Sequence, residues 1–172
     1  MAKVHKYAIH MEWKGNDGEG TKNYQSYRRD FTISSVGKQT IEGSSDPSFR
    51  GDRTRYNPEE MLVASLSSCH MLWYLHLCSA NGIIVLAYED IGSGRMEEAS
   101  DGTGAFSEVT LRPAVRIASD AKDPKAVLER AVALHSEAHH YCYIAQSVRF
   151  PVIVAPQVTF EAVEANDPEA SR

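Results

Sequence analysis

Cysteine and histidine are the residue types here that could do chemistry, and they sit in suggestive places. Cys69 lies midway along an uncharged run from Met61 to Cys78, and Cys142 closes a later helical period. Each falls on the apolar side of its own helix, and two buried helices in a small core are expected to touch. One reading is a redox pair, in which a thiolate attacks an oxidant, becomes a sulfenic acid and condenses with the second thiol. The plainer reading is two buried cysteines packed as small hydrophobes. Cys78 follows Cys69 by nine residues, which at 100° per residue puts it on the opposite helix face, where a structural role is expected.

A reactive cysteine must ionise, because the thiolate is the nucleophile. Cys69 lies about three turns into its helix, beyond the reach of the helix dipole, and burial would raise its pKa. A cation must therefore come from elsewhere. Arg50, Arg53 and Arg55 are the candidates, with Arg28 and Arg29 behind them. An arginine at a buried site needs a carboxylate to orient its fork. Glu59 and Glu60 stand at the mouth of the same helix, although helix capping accounts for both without catalysis.

His135, His139, His140 and Cys142 form a second constellation. His135 and His139 share a helix face and Cys142 follows a turn later, a spacing that could bind zinc or iron with His70 or Cys69 as a further ligand. No second ligand pair of recognised spacing accompanies them. Cys69 could also serve as a hydrolase nucleophile with a histidine as its base. His70 points about 100° away from it, and His139 could reach it only by tertiary contact. Trp73 and Tyr74 could line an apolar pocket, or simply be core.

The positioning elements are legible. Asn57-Pro58-Glu59-Glu60 is a helix start, with a capping side chain, proline at the first position and early negative charge. Asn81-Gly82 is a left-handed stop. The uncharged helix between them should be buried all round and form the spine of the core. Strands are expected at Val4–Trp13, within Thr21–Ser34, and in a hairpin arm at 35–43 with Ile41 inward. A charged loop at 44–56 leads into the helix. Beyond it come a β-rich run at 83–88, a turn-rich stretch around Met96, and an alternating strand at 105–119 bent at Pro113. Asp123-Pro124 starts a second helix whose apolar face runs Val127, Ala131, Leu134, Ala138, Tyr141 and Cys142. A last strand at 151–163 breaks at Pro156, and a polar tail occupies 164–172. The pattern is α+β with antiparallel sheets packed around the long helix, in one domain over 1–163. Apolar surface that one chain cannot cover suggests a homodimer.

The chain of 172 residues carries a net charge of −5 and no basic stripe, so nucleic acid is not an expected partner. Three cysteines argue against a disulfide framework. Three serines and two histidines interrupt the apolar run, which argues against a membrane span. The polar start MAKVHKY does not resemble a signal peptide, and a cytoplasmic location is expected.

NPEE at 57–60, SLSSCHM at 65–71 and AHHYCYIAQSV at 138–148, in that order, resemble the OsmC and organic-hydroperoxide-resistance (Ohr) family. The likeness runs from about Ser45 to Val163. It implies an intertwined homodimer of OsmC-like fold and a thiol peroxidase that reduces organic hydroperoxides to alcohols. Regeneration would come from a dithiol such as a lipoyl group, with no metal or flavin. By the same resemblance Cys69 is the peroxidatic cysteine, Cys142 the resolving one, and Glu59 the acid that holds a catalytic arginine. Arg50 stands about where the OsmC branch keeps that arginine; the Ohr branch takes it from the early strands, where Arg28 or Arg29 would serve. Tyr143-Ile144 replaces the Cys-Pro often found after the second cysteine, and Trp73 with His70 and His76 sets the core helix apart. A non-catalytic redox or ligand-binding dimer is the alternative to the peroxidase.

Overall fold

A computed structural model of the chain describes residues 3–118 and 123–161. They fall into two compact units that divide between Leu62 and Val63.

The N-terminal unit carries one antiparallel sheet in the order β1 (His10–Trp13), β2 (Phe31–Ser34), β3 (Ile41–Gly43). The strands are shorter than the sequence suggests. Side chains between β1 and β2 satisfy the backbone locally: Asn16 Oδ1 accepts from the N–H groups of Gly18 and Gly20, and Asn23 Oδ1 from that of Gln25. Such bonds compete with a ladder, so Thr21–Ser26 is turn and bend rather than strand. Ile41, expected inward, is exposed. The following loop is tightly folded. Asp46 caps a 3-10 turn over Pro47–Phe49, and Arg50 ends it in the left-handed region at φ 67°. A Cβ on Gly51 would lie 1.5 Å from the Ser45 carbonyl oxygen, so only glycine fits beside Arg50.

The long helix α1 (Pro58–Ala80) begins with the anticipated reciprocal cap. The Glu60 N–H donates to Asn57 Oδ1 at 2.8 Å and the Asn57 N–H to Glu60 Oε2 at 3.1 Å. It stops where Gly82 takes φ 69° and the Ile83 N–H reaches back to the Cys78 carbonyl at 2.9 Å. Its surroundings differ from expectation. Only Leu66, His70, Tyr74 and Cys78, one stripe at every fourth residue, are buried, and Leu72 is 62% exposed. By length and composition α1 could cross a membrane. Its buried stripe instead contributes to two protein cores.

The C-terminal unit holds the sheets β4-β7-β9 and β5-β6-β8, formed by β4 (Val85–Asp90), β5 (Ser93–Glu98), β6 (Gly104–Leu111), β7 (Pro113–Ala118), β8 (Val152–Val154) and β9 (Gln157–Glu161). Both sheets are mixed, which corrects the all-antiparallel expectation: β6 pairs with β8 and β7 with β9 in parallel. The reason is the helix α2 (Pro124–Tyr141), which lies in sequence between the strands of each parallel pair, as a crossover connection does. The single alternating strand expected at 105–119 is also two. Arg112 donates its N–H to Asp90 Oδ1 at 2.7 Å rather than to a ladder, Pro113 has no N–H to donate, and the halves enter different sheets.

Leu66 packs with Val109 and Leu111 in one core. Tyr74 and Cys78 pack with Val115, Ile117, Ala131, Leu134 and Ala138 in the other. His70 lies on α1 midway between Leu66 and Tyr74. The tail expected at 164–172 lies outside the described residues. Replacing Asn57 with Ala should lower the unfolding free energy by about 1 kcal/mol in a denaturant titration, through loss of the cap.

Candidate active site

Asp123 caps α2 by accepting the Ala126 N–H at 3.1 Å, and Pro124 follows at the first position. This fixes the frame of the helix, and eighteen residues later Cys142 forms its C-cap, 1% exposed. The Cys142 thiol lies beside the side chain of Cys69 on α1, close enough for each to feel the other. It also accepts the Ala145 N–H at 3.4 Å. All three cysteines are reduced.

The two sulfurs are in unequal surroundings. Burial first, and then the neighbouring Cys69 side chain, push the Cys142 thiol well above the usual cysteine range. Cys142 therefore keeps its proton, whereas Cys69 beside it is only partly buried. Cys78 is a core residue beside the Tyr74 hydroxyl, and burial raises its pKa too.

Aromatic residues stand close to both cysteines along the chain. Tyr141 and Tyr143 flank Cys142 in sequence and both pack on Trp73, one turn beyond Cys69. Trp73 stacks on Tyr141 at 5.2 Å and meets Tyr143 edge-on at 5.7 Å. Tyr141 was expected on the buried face of α2 but is largely exposed, held against Trp73 instead. The signal for this wall was a pair of tyrosines bracketing a cysteine.

Glu59 and Arg50 belong to the N-terminal unit. Glu59 is in the first turn of α1, and its buried Oε2 has no hydrogen-bond partner among the described residues. Arg50 reaches over the Tyr24 ring at 6.0 Å from its centroid and makes no ion pair among the described residues. The other arginines are more fully engaged. Arg28 is paired with Asp17 and Asp30, and Arg55 lies near Glu42 and Asp52. Arg29 stacks on Tyr24 and Tyr27 at 4.3 and 4.0 Å and bonds their backbone carbonyls.

A family model described as OsmC-like protein matches residues 51–156, well over half of the chain. The chain belongs to the OsmC-like family. Among solved structures it is similar to an OsmC-like protein of unknown function from Vibrio cholerae, with 30% identity and a TM-score of 0.79 over 90% of this chain and 100% of that one. It is also similar in fold to two organic hydroperoxide resistance proteins. That from Elizabethkingia anophelis has 18% identity and a TM-score of 0.62 over 92% of this chain and 100% of that one. OhrB of Bacillus subtilis has 21% identity and a TM-score of 0.57 over 89% and 98%. No curated protein sequence matches it.

This OsmC-like chain does not assemble the metal set of His135, His139 and Cys142. Among the described residues no three His, Cys, Asp or Glu side chains converge as a metal site. Cys142 faces Cys69, and His135 commits its Nδ1 to His70 Nε2 at 3.0 Å. A hydrolase pairing also loses its support, because His70 turns to His135 and the neighbour that Cys142 feels is the Cys69 thiol.

The His70–His135 contact was not foreseen. Both rings are buried, and Tyr74 stacks on His135 with centroids 3.8 Å apart. Burial, with a further contribution from His139, lowers the His70 pKa to about 4; burial and His70 lower that of His135 to about 3. The unfolded chain binds protons at these sites near pH 6.5, before the folded protein does. Stability is therefore full above that pH and falls as the pH drops toward 4. Between pH 7 and 5 the unfolding free energy should fall by about 2 kcal/mol per histidine. The double substitution H70Q/H135Q should flatten this profile in denaturant titrations at each pH.

Proposed function

We propose that this protein is a thiol-dependent peroxidase that reduces organic hydroperoxides to alcohols. The observation that carries the reading is the placing of Cys69 beside the more deeply buried, proton-holding Cys142. The aromatic wall of Trp73, Tyr141 and Tyr143 beside it suits an organic rather than a small polar oxidant. Membership of the OsmC-like family, which includes organic hydroperoxide resistance proteins by similarity of fold, points the same way.

In the proposed cycle the Cys69 thiolate attacks the terminal oxygen of ROOH. The O–O bond breaks, the alkoxide takes a proton and leaves as ROH, and Cys69 becomes a sulfenic acid. Cys142 then attacks that sulfur, forming the Cys69–Cys142 disulfide and releasing water. A dithiol, such as a lipoyl group, returns both thiols by exchange. Arg50, oriented by Glu59, is assigned to stabilise the Cys69 thiolate and the departing oxygen. The unpartnered Glu59 Oε2 favours a cation there, and Arg50 is without the carboxylate partners that Arg28 and Arg55 have. The exposed apolar side chains of α1, Leu72 among them, support a homodimer. A cytoplasmic location, where thiols are kept reduced, fits the chemistry.

Steady-state turnover of cumene hydroperoxide with a dithiol tests the reading. Cys69→Ser should abolish turnover. Cys142→Ser should give one oxidation per chain and then stop, and Cys78→Ser should remain active. Full activity in Cys69→Ser would refute the proposal. Arg50→Met should slow peroxide reduction by about 100-fold, while Arg53→Met should leave it within about twofold; the reverse ranking would move the role to Arg53.

A further inference from the structure

Arg50 is the one non-glycine residue with a positive φ among the described residues, at φ 67° and ψ 27°. A side chain with a Cβ disfavours the left-handed region, and glycine is the usual residue there. Arg50 is exposed and stands without an ion pair among the described residues, so neither packing nor charge pairing explains the conformation. Such strain persists only where the surroundings over-determine it. Here they do so on both sides. Before Arg50, Asp46 Oδ1 accepts the Ser48 N–H at 2.7 Å. The Asp46 and Pro47 carbonyls accept the N–H groups of Gly51 and Arg50, each at 3.0 Å. After Arg50, the Asp52 N–H donates to Ser44 Oγ at 3.0 Å.

Ser44 ties this turn to the sheet. It follows β3 and is fully buried. Its hydroxyl donates to Asp30 Oδ1 at 3.2 Å. Asp30 stands just before β2, is 5% exposed and is ion-paired with Arg28, so it is a carboxylate and can only accept. The Ser44 hydroxyl therefore gives its single hydrogen to Asp30 and must turn a lone pair to the Asp52 N–H. The Asp30 carbonyl in turn accepts the Lys14 N–H at 2.7 Å, just past β1. One buried hydroxyl thus couples the Arg50 turn to all three strands.

We infer that Ser44, oriented by Asp30, is a positioning residue for Arg50: it locks the backbone on the C-terminal side of Arg50 so that the guanidinium is presented in one direction. The inference rests on the role given to Arg50 in the proposed peroxidase. A charge held in place needs no rearrangement when the O–O bond breaks, which is what makes a preset cation effective. A glycine at position 50 would relax the turn but supply no cation.

The test follows single-turnover oxidation of Cys69 by cumene hydroperoxide in the full-length reduced protein. Ser44→Ala should slow it about 10-fold. The rate-against-pH profile should move toward alkali, as in Arg50→Met, because both changes withdraw a placed cation from a reacting thiolate. In the Arg50→Met background Ser44→Ala should have no further effect. A merely structural loss would slow both backgrounds alike and leave the pH profile where it is. Asp46→Ala, at a partly exposed position, loosens the same turn from its other end and should reproduce both changes even if Ser44→Ala fails to fold. Strain is read separately: Arg50→Gly should unfold at a higher denaturant concentration than Arg50→Ala, since only glycine suits the left-handed backbone. Equal slowing in both backgrounds, an unmoved pH profile, or Arg50→Ala as stable as Arg50→Gly would overturn the inference and leave the peroxidase standing. Normal oxidation in Arg50→Met would remove Arg50 from the reaction and the inference with it. No oxidation of Cys69 in the unsubstituted protein would refute the peroxidase itself, and both fall together.

Discussion

The contact between α1 and α2 governs the chemistry of this protein, and the buried His70–His135 hydrogen bond is what fixes it. His70 sits on α1 between residues of two apolar cores, where a polar group without a partner would be costly. Its 3.0 Å bond to His135 satisfies one nitrogen of each ring and sets the two helices at one relative position. A shift of either helix would break that bond and the Tyr74–His135 stack together. At the far end of α1, Arg130 of α2 bonds Asn81 at 3.0 Å and adds a second tie. Cys69 is next to His70 in sequence, and Cys142 is two turns beyond His135, so the helix contact that aligns the histidines also aligns the thiols.

The thiol pair is asymmetric, and the proposed cycle uses that asymmetry. Cys142 is fully buried at a helix end, receives a backbone N–H and keeps its proton. Cys69 is in the middle of a helix and partly open. A nucleophile must meet its substrate, whereas a resolving thiol must only meet the oxidised sulfur, so in the proposed cycle the more exposed Cys69 takes the first role and Cys142 the second. Trp73, one turn beyond Cys69, and Tyr141 and Tyr143, on either side of Cys142 in sequence, pack their large apolar faces together at little entropic cost, since aromatic side chains have few rotatable bonds.

Features decided by local chemistry were legible in the sequence. Asn57, Pro58 and Glu60 gave the start of α1, Gly82 its end, and Asp123-Pro124 the start of α2, because caps use neighbouring residues only. The burial of Cys142 was legible from helical period. Features decided by distant parts of the chain were not. The parallel pairings of β8 and β9 depend on where α2 returns the chain. The division at Arg112 depends on a carboxylate from β4, Asp90. Burial around α1 was overestimated because an uncharged sequence does not reveal how much of a helix one chain can cover. Spacing raised a metal site from His135 and His139, but those histidines face a second imidazole and a cavity, and nothing in the spacing distinguishes the cases.

The most direct measurement is peptide mass spectrometry of the reduced protein after one equivalent of cumene hydroperoxide, with hydrogen peroxide in parallel. A Cys69–Cys142 bridge, with Cys78 still titrating as a thiol and faster formation with the organic peroxide, is the predicted result. Three intact thiols, or oxidation of Cys69 without bridging to Cys142, would contradict the account.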